Sequence, residues 1–78
     1  MIEVIKDLIE KEISEAKVDV DGDGSKFTVT VVSDIFENKS VIDRHKIIYS
    51  IVDKYIKTGE IHALTIFAKT NSENVGSQ

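Results

Sequence analysis

Apolar residues return at helical intervals along the first sixteen positions. Ile2, Ile5, Leu8 or Ile9, Ile13 and Ala16 fall on one face, and the spacing predicts an amphipathic helix over residues 2–16. Glu3, Lys6, Asp7, Glu10, Lys11 and Glu15 fill the other face, which reads as solvated. The period then changes to two. Lys17, Val18, Asp19 and Val20 alternate, with Val18 and Val20 predicted inward, and Phe27, Val29 and Val31 alternate with Thr28, Thr30 and Val32. Between them, Asp21-Gly22-Asp23-Gly24-Ser25 has the residues of a turn, so the two runs predict an antiparallel hairpin.

Residues 33–39 break the alternation and leave the sheet, with Phe36 as a core plug and Asn38 as a candidate for left-handed backbone. Ser40 stands to cap a second helix, with Asp43 three positions on. That helix is predicted over 41–57, its inward face made by Ile47 or Ile48, Ile51 or Val52, Tyr55 and Ile56, and Gly59 closes it. A strand over 61–68 follows. It is apolar at nearly every position, which predicts burial on both faces inside a sheet. A strand, a helix and another strand in this order make a crossover, so this last strand should run parallel to the second. The polar tail, residues 70–78, is expected to fray. The prediction is one α+β domain over 1–78, in the order α-β-β-α-β, with a three-stranded mixed sheet packed on helices.

Size and charge narrow the function. A chain of 78 residues buries only about 60% of its unfolded surface, enough for one small core. A binding module is therefore expected in place of an enzyme. Cysteine is absent, which removes disulfides, thiolate nucleophiles and thiolate metal ligands. No signal peptide or membrane-spanning run is apparent, so a cytoplasmic protein is expected. The net charge of −4 is uneven: residues 1–37 hold four lysines against ten carboxylates, residues 38–78 six cations against four. Strong sequence-independent binding to nucleic acid is disfavoured, because phosphate contacts need clustered cations.

Few residues carry candidate chemistry. Asp19-x-Asp21-x-Asp23-Gly24 opens like a calcium loop, but the twelfth position is Thr30 and a strand follows, so a hairpin turn is the better reading. No Ser lies in a nucleophile elbow, and no glycine-rich loop precedes a helix to cradle phosphate. Arg44, His45 and Lys46 form a basic cluster on the second helix. It is either a solvated helix surface or a docking face for an acidic protein or nucleic acid. His62, at the entrance of the last strand, is either a hydrogen-bonded strand histidine or a metal ligand. One histidine cannot hold a metal site, so any further ligands would come from another chain.

Taken together these features resemble the BolA family, over roughly residues 5–73. The resemblance is carried by the Gly22-Asp23-Gly24-Ser25 turn running into a strand headed by Phe27, and by Ser33 three positions before Phe36. It is carried further by Arg44-His45 with Tyr49 on the second helix, and by Ile61-His62-Ala63-Leu64 at the last strand. The resemblance implies an α-β-β-α-β fold similar to the class II KH arrangement. It implies a heterodimer with a monothiol glutaredoxin, in which a [2Fe-2S] cluster is held by the glutaredoxin cysteine, a glutathione thiol and BolA side chains. The histidine of the Ile-His-Ala-Leu motif is the BolA ligand, here His62, and histidine ligation shifts the charge and potential of the cluster. Many relatives place a second His or Cys between the first two strands. The turn here, residues 21–26, has neither, and Lys26 stands where some have His. Asn38 and Asn71 replace a Gly and a Pro common in relatives, and both changes read as structural.

The expected function is therefore a non-enzymatic partner of a monothiol glutaredoxin in iron–sulfur cluster handling or iron sensing. In that reading His62 is the iron ligand and Arg44, His45 and Lys46 contribute to docking. The alternative is a DNA-binding transcriptional or stress regulator that uses the same basic helix. An interaction module with no metal role is a third reading.

Overall fold

Ile5 and Ile9 are fully buried, and the face they make fixes how the first helix lies on the sheet. The computed structural model describes residues 1–76. In order these are α1 (Ile2–Glu12), β1 (Lys17–Asp23), β2 (Lys26–Val32), a 3₁₀ turn (Asp34–Phe36), α2 (Val41–Lys57), β3 (Ala63–Lys69) and α3 (Asn71–Gly76). The sheet order is β1-β2-β3. β1 and β2 pair antiparallel, and β2 and β3 pair parallel, as the crossover requires.

Register decides which side chains meet the helices. Val18 lies opposite Val31, while Phe27 and Val29 lie opposite Leu64 and Ile66. Val18, Phe27, Val29, Val31 and Ile66, with Ile5, Ile9, Phe36, Ile48 and Val52, belong to a single buried cluster on one face of the sheet, and Leu64 packs half-buried against it. Phe36 is fully buried at the end of its 3₁₀ turn. Asn38 is left-handed (φ 63°), which turns the chain from that plug into α2. The Ser40 hydroxyl accepts from the Asp43 N–H at 3.1 Å and caps the helix. Gly59 (φ 83°) ends the reach of α2 into β3.

Four expectations need correction. α1 stops at Glu12 instead of residue 16, because Ile13 is extended and Glu15 turns left-handed (φ 58°), which folds the chain back into β1. The turn of the hairpin is shorter than residues 21–25. β1 runs to Asp23, which pairs with Lys26, so only Gly24 and Ser25 remain as the loop. Gly24 alone is left-handed there (φ 63°), the φ pattern of a type II′ turn. β3 lies at the sheet edge, and the central strand is β2. Helices cover only one face of the sheet, so Phe67, on the uncovered face, stays 49% exposed. Finally, the tail expected to fray over 70–78 is helical through residues 71–76, and residues 77–78 lie outside the described part. Among the described residues no helix is long and apolar enough to cross a membrane.

Candidate functional site

His62 occupies the step between α2 and β3. Ile61, just before it, is buried, and its N–H donates to the Tyr55 carbonyl at 3.0 Å. That anchor turns the next side chain outward, and His62 is exposed. Its own N–H donates to the Ser25 carbonyl at 2.8 Å, and the Ala63 N–H donates to the same oxygen at 3.3 Å. The turn between β1 and β2 is thereby fastened to the base of the histidine. The turn is itself tightly built. A Cβ at Gly22 would lie 2.5 Å from the Lys26 carbonyl oxygen and 2.6 Å from Cδ1 of Phe27, so only glycine fits against that ring. The Asp21 carboxylate accepts from the Gly22 N–H at 2.9 Å.

The imidazole itself is uncommitted. Among the described residues no side-chain hydrogen bond or ion pair engages it. Nor does any group of three or more His, Cys, Asp or Glu come together there in a way that could hold a metal ion. This end of the molecule thus offers one nitrogen donor on a fixed backbone, beside a turn that carries carboxylates and a lysine.

The basic cluster on α2 is differently placed. Arg44 points back into the protein, its side chain only 11% exposed. Its Nε donates to the Lys39 carbonyl at 2.9 Å and its Nη1 to the Ala68 carbonyl at 3.0 Å. Both Nη atoms grip the Glu73 carboxylate, at 2.6 and 3.1 Å, and the guanidinium lies 6.0 Å from the centroid of Phe36. His45 is half-buried and Lys46 exposed. Elsewhere on the helix, Lys57 pairs with Asp53 at 2.8 Å and Lys54 lies over Tyr55. The cations do not form one open face. Arg44 is also remote from His62. It meets β3 at Ala68, whereas His62 precedes Ala63, a separation of about 20 Å along the strand.

Glu73 holds the other half of that junction. Its carboxylate accepts from the Thr70 N–H at 2.9 Å while its own N–H donates to the Thr70 hydroxyl at 3.1 Å, a reciprocal cap on α3. The Arg44 guanidinium, followed by the Thr70 N–H, holds the Glu73 carboxyl at about 2, below its ordinary 4.5.

The BolA-like protein family model matches residues 2–73. The chain belongs to the BolA family. It is 33% identical over 69 residues to the acid stress protein IbaG of Escherichia coli K12, covering 88% of this chain and 82% of that one. Its fold is similar to the BolA domain of SufE1 from Arabidopsis thaliana, with a TM-score of 0.83, 35% identity, and 91% and 92% of the two chains covered. It is similar also to yeast Fra2, with a TM-score of 0.75, 28% identity, and coverage of 94% and 82%. The Ile61-His62-Ala63-Leu64 segment, on which the resemblance rested, is the one that Ser25 pins in this chain. The Arg44–Glu73 junction escaped the sequence reading, although Thr70 and Glu73 already stand at capping-box spacing.

Proposed function

We propose that this BolA-family chain is the non-enzymatic partner of a monothiol glutaredoxin, and that the two share a [2Fe-2S] cluster with His62 as this chain's iron ligand. The observation that carries the reading is His62 itself: an exposed, uncommitted imidazole on a backbone fixed by Ser25. Neutral imidazole is a competent iron donor, and one such donor fits a site whose thiolates come from the glutaredoxin and glutathione. A bound cluster would supply iron that exchanges electrons or is passed on. This chain's residues would set where it sits: Ser25 fixes the backbone of His62, and Gly22 and Gly24 keep the neighbouring turn narrow enough for a partner to approach. Likeness to the BolA domain of SufE1 and to Fra2 supports a place in iron–sulfur cluster handling.

The DNA-binding alternative is weaker on this structure. Of its three residues, Arg44 is taken by Glu73 and two carbonyls, which leaves His45 and Lys46 to meet phosphate on an acidic protein.

The test is reconstitution of a [2Fe-2S] cluster on a monothiol glutaredoxin with glutathione, followed by visible absorption and circular dichroism. Wild type should form a stable heterodimer and change the spectrum, and His62→Ala should leave the glutaredoxin-only spectrum. An identical spectral change with His62→Ala would remove His62 as ligand. Absence of any complex would overturn the glutaredoxin reading.

A further inference from the structure

β3 is an edge strand, and its sequence is a hazard there. Ala63-Leu64-Thr65-Ile66-Phe67-Ala68 has no charge, no Pro and no Gly, and is rich in residues that favour strands. An edge of this kind is a template for another strand.

The direction of each backbone group follows from the bonds already made. Lys69 accepts from the Ser33 N–H and Ala63 donates to Ser25, so odd-numbered residues of β3 face β2. Leu64, Ile66 and Ala68 therefore turn their N–H and C=O groups outward. These three are symmetric about Ile66. Two copies of the strand can pair antiparallel across a two-fold axis, with Ile66 opposite Ile66 and Leu64 opposite Ala68. That pairing needs the Leu64 and Ala68 carbonyls. Both are occupied from within: the Tyr49 hydroxyl donates to Leu64 at 3.3 Å, and Arg44 Nη1 donates to Ala68 at 3.0 Å.

We propose that Tyr49 and Arg44 are guards on the β3 edge, and that the occupant they exclude is β3 of a second copy of this chain. α2 reaches over the sheet edge to place both donors, and Glu73 holds Arg44 in position. The proposal does not depend on His62 or on any cluster.

The test replaces both donors while keeping their bulk, as Tyr49→Phe with Arg44→Met. Sedimentation and amide hydrogen exchange are followed, with circular dichroism as the check on folding. Wild type should remain at the mass of one chain across the concentration range. The double variant should double its mass with concentration, and its Ile66 amide should exchange at least tenfold more slowly once associated. A folded double variant that stays a monomer overturns the proposal, and so does association that leaves Ile66 unprotected. If the double variant does not fold, Tyr49→Phe alone decides: association at millimolar concentration is expected, and a monomer there overturns the proposal.

Discussion

Glu73 receives both terminal nitrogens of Arg44, at 2.6 and 3.1 Å, across the greater part of the second half of the chain. One ion pair thereby ties the start of α2 to the start of α3 and to the last residues of β3.

The first prediction concerns pH. The Glu73 carboxyl titrates at about 2 in the folded chain against an ordinary 4.5. A carboxyl with a depressed folded value adds stability that is fully present above the ordinary value and is lost as pH falls towards the folded one. Melting temperature should therefore drop between about pH 4.5 and pH 2. Glu73→Gln should start lower at neutral pH and lose much of that drop. A thermal melt series on the two chains checks it, and parallel curves would count against the clasp.

A second prediction concerns the plug. Phe36 is fully buried, and it sits beneath the Arg44 guanidinium. Phe36→Ala should cost about 3–5 kcal/mol, read as a lower urea midpoint, and in a domain this small much of the population should unfold.

The third compares two glycines of one hairpin. Gly24 has nothing within 4 Å of an added Cβ but is left-handed, so Gly24→Ala should cost about 1–2 kcal/mol. Gly22 has ordinary backbone but no room, since its Cβ would meet the Lys26 carbonyl and the Phe27 ring. Gly22→Ala should cost about 1–3 kcal/mol, and it alone should move the Phe27 ring resonances in an NMR spectrum.

The fourth separates function from stability. His62 is exposed and its imidazole has no partner among the described residues. His62→Ala should leave the urea midpoint within about 0.5 kcal/mol of wild type while abolishing the spectral change with the glutaredoxin-bound cluster. A large loss of stability would show that His62 works for the fold.

Much of this architecture is local, and local signals are legible. Ser40, the helix over 41–57, Gly59, Asn38 and the Phe36 plug follow from capping, left-handed backbone and periodicity, and each stands where expected. β3 misled because an apolar run does not say how many faces a sheet has covered. Phe67 reads as core and lies on the open face. Arg44 misled in the opposite way. A surface cation and a clasp have the same letter, and its partner Glu73 is distant in sequence. His62 was legible as a candidate only, because its pinning by Ser25 depends on a contact that neither segment encodes alone.

The parallel pairing of β3 with β2 also sets an order of assembly. A hairpin closes through a two-residue loop, so β1 and β2 can find one another while the chain is still being synthesised. β3 can join only after α2 has been made and has crossed the sheet, which places its pairing among the slow, non-local steps. The Ser25 carbonyl therefore waits, unoccupied, for His62 to arrive. The histidine acquires its fixed position in the final stage of folding, and a half-folded chain presents the turn without the imidazole beside it.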